Sequence, residues 1–198
     1  MNVNETGKAT ESLAAAPLPT LEKEAVKSSA FADEVISEAL CEDIGDSHPC
    51  VLFICTGNTC RSPMAEAYMK SRGYKTAFSR GLFDTGAPIS DKSVTTLKSH
   101  GINPAPDNNY TDHISKTVAA GDIARADIVL AMTNEQLTTL IFSFPQFSDK
   151  LGVMPGGIPD PYGGDQKKYD EALEAIISAL DEMFFTGGST TGNTKGDE

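Results

Sequence analysis

The chain has 198 residues, 39% of them hydrophobic and 22% charged, which fits one globular domain with residues to spare. Sixteen basic side chains against 28 acidic ones leave a formal net charge of -12, and so acidic a protein is not expected to bind nucleic acid or an anionic membrane. The excess is uneven, because the first 46 residues hold ten acidic and three basic side chains. The four cysteines are too few for a disulfide scaffold and crowd into Cys41, Cys50, Cys55 and Cys60, so a reducing, cytoplasmic setting is expected. No apolar run reaches the 18 or so residues of a membrane span, and the first 30 residues lack the basic start and apolar centre of a signal peptide.

Residues 1 to about 27 are rich in Ala, Ser, Thr, Glu and Lys, have little to bury and are expected to be disordered. Ser28 or Ser29 then caps a candidate helix near 29–44. Its Phe31, Val35, Ala39 and Leu40 share a face, Asp33 and Glu34 sit at its positive end, and Gly45 stops it. It reads either as a solvated appendage or as a docking or autoregulatory segment. From Val51 short apolar runs alternate with amphipathic stretches, as in a parallel βαβ sheet. Candidate strands are Val51–Ile54, Thr76–Arg80, a short one near His113, Ile128–Met132 and Leu151–Met154. Candidate helices are Pro63–Arg72, Ser90–His100, Thr117–Ala124, Asn134–Phe142 and Lys167–Phe185, the last with Leu173, Ile176, Ile177, Leu180 and Phe184 at helical spacing. Residues 186–198, with Gly, Thr and Asn, read as a loose tail. The folded domain is therefore expected over 49–185, after an acidic extension over 1–48.

The stretch Val51-Leu52-Phe53-Ile54-Cys55-Thr56-Gly57-Asn58-Thr59-Cys60-Arg61-Ser62-Pro63 runs from a buried strand directly into a helix. At such a switch a loop of small residues can turn its backbone N–H groups inward while the helix adds its positive end, which makes a pocket for a dianion. Cys55 sits at the base of that pocket, where the field that holds phosphate also favours a thiolate. Arg61 can lay its planar fork over two phosphoryl oxygens, a geometry lysine lacks. Gly57 offers conformational freedom, Asn58 tolerates positive φ, and Ser62 can donate to the sulfur. Cys-x5-Arg alone occurs by chance. Here it comes with the apolar strand before it, Gly and Asn within it, Ser after Arg, and Pro63 in the first turn of the helix.

Cys-Thr-Gly-Asn-Thr-Cys-Arg-Ser-Pro-Met-Ala-Glu resembles the signature of low-molecular-weight protein tyrosine phosphatases. The resemblance extends over about residues 50–185, through Ala126-Asp127-Ile128-Val129-Leu130-Ala131-Met132 to Asp160-Pro161-Tyr162; the stretch before His48 has no counterpart. It implies an α/β fold of three layers, with a four-stranded parallel sheet flanked by helices, and no metal or cofactor. No Cys-x2-Cys pair is present to favour a zinc site. The substrate implied is a phosphorylated protein.

Gly156-Gly157-Ile158-Pro159-Asp160-Pro161-Tyr162-Gly163-Gly164-Asp165 follows the last candidate strand, at the end of the sheet where ligands collect. Turn chemistry alone makes Asp160 an ordinary loop residue. The resemblance makes it the general acid, with Cys55 as nucleophile, Arg61 as phosphate clamp, and Thr56, Gly57, Asn58, Thr59, Cys60, Ser62 and Tyr162 about the substrate. It also implies that Cys60 protects Cys55 from over-oxidation through a disulfide, although Cys60 equally reads as a small loop residue. His100 and His113 read as structural.

Two positions depart from the tyrosine-specific pattern: Thr59 stands where many members have a bulky aliphatic residue, and Gly163 where they have a second aromatic. Thr followed by an Asp-Pro-aromatic-Gly-Gly loop resembles the bacterial protein arginine phosphatase branch, so phosphoarginine is favoured over phosphotyrosine. An arsenate reductase is disfavoured because no cysteine follows Cys60. An inactive phosphoprotein-binding module, or a phosphocarrier, would not need Cys55, Arg61 and Asp160 together.

Overall fold

The structure, a computed structural model, describes residues 48–83 and 85–186; the expected helix near 29–44 and the tail from 187 lie outside them. Four strands, β1 (Val51–Cys55), β2 (Phe78–Gly81), β3 (Ile128–Ala131) and β4 (Leu151–Val153), form a wholly parallel sheet in the order β2-β1-β3-β4. Five helices connect or follow them: α1 (Arg61–Ser71), α2 (Asp91–Ser99), α3 (Ala120–Arg125), α4 (Asn134–Ser143) and α5 (Gln166–Phe184).

Every side chain of β1 is buried, which is why this strand is a continuous apolar run rather than an alternating one. Its alternate residues serve two cores. Val51, Phe53 and Cys55 join Met64 and Met69 of α1, Leu97 of α2, and Leu173, Ile176 and Leu180 of α5. Leu52 and Ile54 join Ile123 of α3 and Leu140 of α4 on the other face. The result is the expected three-layer α/β fold, with the C-terminal end of β1 at its centre.

The expected strand near His113 is not a strand. The chain there makes a short 3-10 turn at Tyr110–Asp112 and only isolated bridges, Pro88 with Ile114 and Gly81 with Thr117. Its backbone is divided among partners: the His113 carbonyl and Ser115 N–H bond Ile89 and Ala87, the Lys116 N–H goes to the Asn58 side chain, and the Lys116 carbonyl and Val118 N–H bond Gly81, so no continuous ladder forms. α3 accordingly begins at Ala120 rather than Thr117, because the Val118 N–H is held by the Gly81 carbonyl. α1 begins two residues before Pro63, so Arg61 lies in its first turn. Ser90 caps α2 by accepting from the Ser93 N–H at 3.2 Å.

Candidate active site

Cys55 ends β1, the strand whose neighbours β2 and β3 lie to either side, so the loop after it opens at the switch point of the sheet. That loop, Thr56–Cys60, turns on Asn58, whose φ of 52° is the only positive value of a non-glycine among the described residues. A left-handed Asn needs support, and Asn58 is fully buried among partners. Its Nδ2 donates to Ser62 Oγ at 3.0 Å and to Ser79 Oγ at 2.9 Å, and its Oδ1 accepts from the Lys116 N–H at 3.1 Å. Its carbonyl lies 2.8 Å from His113 Nε2. A carbonyl only accepts, so that ring nitrogen carries the hydrogen. So braced, the Asn58 N–H points at Cys55 Sγ, 3.3 Å away.

Ser62 Oγ lies 3.0 Å from the same sulfur and 3.3 Å from the Arg80 carbonyl. The hydroxyl has one hydrogen for two acceptors. With a thiol it can accept from sulfur and donate to Arg80; with a thiolate it can turn and donate to sulfur. Sequence reading placed Asn58 and Ser62 about the substrate. Both lie fully buried and off the cavity lining; Ser62 faces the sulfur and Asn58 shapes the loop, two roles that were also expected of them.

Asn58 takes the positive φ of the loop, as expected, whereas Gly57 is not at positive φ and a Cβ on it would meet only Thr59 Oγ1 at 3.9 Å. The demanding glycine is Gly81 at the end of β2. A Cβ there would lie 2.6 Å from the Phe83 carbonyl and 3.1 Å from both Asn58 Cβ and the Thr56 carbonyl. Gly81→Ala is therefore expected to cost about 1–3 kcal/mol, a fall in Tm of roughly 3–10 °C. Because the clash presses on the loop, phosphate affinity should fall with it; thermal melts with and without phosphate read both.

Arg61 is buried, 3% exposed. Its Nη1 donates to the Ile158 carbonyl at 3.1 Å and its Nη2 to Asp160 Oδ2 at 2.7 Å, while Nε is buried with no partner. An unmet guanidinium N–H is costly to bury, and Arg61 lines the same cavity as Cys55, so an anion seated over the sulfur can meet it. The cavity holds about 550 Å³. It is lined by the phosphate loop, by Asp160 and Tyr162, and by Thr85 and residues 87–91. Thr56, Gly57, Thr59 and Cys60 also line it, as expected.

Sequence reading missed the 85–91 wall, although its Gly86 and Pro88 between β2 and the Ser90 cap mark a shaped loop. Also missed was Gln136, whose Nε2 donates to Thr56 Oγ1 at 3.0 Å while its Oε1 accepts from the Met132 and Thr133 N–H groups. Only a fold that brings α4 beside the loop makes this visible. Cys60 Sγ lies 3.6 Å from Thr59 Oγ1 and from Tyr169 OH, and 3.7 Å from Ser90 Oγ. Burial, then the contact with Cys60, pushes the Tyr169 phenol up to about 12, so it stays protonated and able to donate at neutral pH. Cys55 and Cys60 are both free thiols. His100 bonds the Thr96 carbonyl in α2 and is not among the residues lining the cavity. Among the described residues no three His, Cys, Asp or Glu side chains gather as a metal site, and no helix is long and apolar enough to cross a membrane.

The family described as low molecular weight phosphotyrosine protein phosphatase matches residues 50–190. The chain belongs to that family. It is 33% identical over 144 residues to the protein-arginine-phosphatase of Geobacillus stearothermophilus, covering 67% of this chain and 92% of that one. Among solved structures, the YwlE arginine phosphatase of G. stearothermophilus superposes with a TM-score of 0.62 at 32% identity, over 69% of this chain and 90% of its own. The low molecular weight protein tyrosine phosphatase of T. tengcongensis superposes with a TM-score of 0.59 at 34% identity, over 67% and 95%. This protein is thus a low molecular weight protein phosphatase, and its relatives divide between two kinds of phosphorylated side chain.

Proposed function

We propose that the protein hydrolyses phosphorylated protein side chains through a cysteinyl-phosphate on Cys55, with phosphoarginine preferred over phosphotyrosine. One observation carries the site assignment: Arg61, with a buried Nε that has no partner, lines the same cavity as a cysteine sulfur that accepts from a loop N–H. The Cys55 thiolate attacks phosphorus in line with the leaving atom. Arg61 and the loop N–H groups take the charge on the phosphoryl oxygens. The bond to the leaving nitrogen or oxygen breaks as Asp160 protonates it. The Asp160 carboxylate then removes a proton from a water that attacks the phosphocysteine, releasing inorganic phosphate and the thiolate.

The preference for phosphoarginine rests on the cavity walls. Thr59 offers a hydroxyl where a branched aliphatic chain would pack on a phenyl ring. The Asp160 side chain, although paired with Arg61, is 49% exposed and can also meet a guanidinium from the solvent side, and Tyr162, 79% exposed, offers its ring face to the same cation. Two named relatives that act on phosphoarginine support this reading, and those named for tyrosine supply the alternative. Comparison of kcat/KM on phosphoarginine and phosphotyrosine peptides tests it: Thr59→Ile should move the ratio toward phosphotyrosine by about tenfold. An unmoved ratio would remove Thr59 from the argument.

Cys60 is the thiol on which a Cys55 sulfenic acid, formed by a peroxide, would condense to a disulfide with loss of water. The catalytic domain spans 49–185, after an acidic extension over 1–48, and the setting is the cytoplasm, where the thiols stay reduced.

A further inference from the structure

We infer that Asp91 selects substrates that carry a basic residue beside the phosphorylated one, an inference that rests on the phosphatase reading above. The cavity, at about 550 Å³, is much larger than a phosphoryl group, so the neighbours of the modified side chain also meet its walls. Among the described residues that line it, Arg61 is the only cation, and a bound phosphate would occupy it. The remaining two charged residues, Asp160 and Asp91, are both acidic.

Asp160 is already engaged with Arg61, whereas the exposed Asp91 carboxylate has no hydrogen-bond or ion-pair partner among the described residues. Lys92, next along the chain, does not neutralise it: its Nζ donates to the Gly164 carbonyl and lies 5.8 Å from the centre of the Tyr169 ring. An uncompensated carboxylate at the rim therefore attracts a lysine or arginine flanking the target and repels a glutamate, in a chain whose net charge of -12 works in the same direction. Asp91 also sits in the first turn of α2, where an acidic residue favours the helix whatever the substrate. That role would change stability without changing the choice between peptides.

The test uses the full chain and matched phosphopeptides with Lys or Glu next to the modified residue, made with phosphoarginine and with phosphotyrosine. At low ionic strength the wild type should favour the Lys peptide in kcat/KM by about threefold to tenfold. Asp91→Asn should bring the ratio close to one, Asp91→Glu should keep it, and 0.5 M NaCl should erase it in all three. A wild-type ratio within twofold of one, or a ratio unmoved by Asp91→Asn, overturns the inference while leaving the phosphatase reading in place. Failure to hydrolyse any of the peptides overturns both.

Discussion

Cys55→Ser is expected to lose multiple turnover of an aryl phosphate, assayed without added metal, by at least about 10⁴-fold. The substitution changes one atom and leaves the anion site intact: the Asn58 N–H, Ser62, and Arg61 with its unmet Nε keep their positions. Phosphate should therefore still bind and still raise Tm. A serine oxygen is both a weaker nucleophile here and a much poorer leaving group than a thiolate. Any phosphoryl group it accepts remains on the chain, and release stops at or below one phosphate per protein molecule. Undiminished turnover in this variant would overturn the cysteinyl-phosphate mechanism, and loss of phosphate binding would mean that the sulfur itself holds the loop open.

The central strand, the loop and the clamp were legible in the sequence because they are contiguous. Within thirteen residues the chain must make a strand buried on both faces, an anion loop and a helix start, and each demand leaves its own residue types. The braces of that loop come from far along the chain. His113 and Lys116 reach Asn58 from the stretch that was expected to be a strand, and Gln136 reaches Thr56 from the first turn of α4. Nothing local marks them, since a polar residue in a loop and a Gln in a capping position are ordinary in themselves. Gly81 was hidden for the same reason, because the atoms that forbid a Cβ there belong to the phosphate loop and to Phe83. Asn58 and Ser62 were recognised as parts of the motif, Ser62 already as a donor to the sulfur and Asn58 as the residue at positive φ, but their absence from the cavity lining was not. Only burial separates a group that touches substrate from one that touches the sulfur.

Asp160→Ala is expected to lower kcat by about 10²–10⁴-fold on substrates with poor leaving groups, and by much less on nitrophenyl phosphate, whose phenolate departs without a proton. Phosphoarginine should show the larger loss, because its leaving nitrogen needs protonation as the bond to phosphorus breaks. Phosphate affinity should stay within about threefold: the carboxylate is half exposed, so water can take its place beside the buried Arg61. Arg61 also keeps a second anchor, the bond from Nη1 to the Ile158 carbonyl, so its fork does not swing away when Asp160 is removed. The two roles open to Asp160, proton donor and guanidinium anchor, therefore separate in one experiment. Loss that grows as the leaving group worsens assigns it the proton, whereas equal losses in turnover and phosphate affinity across all substrates would assign it only the positioning of Arg61.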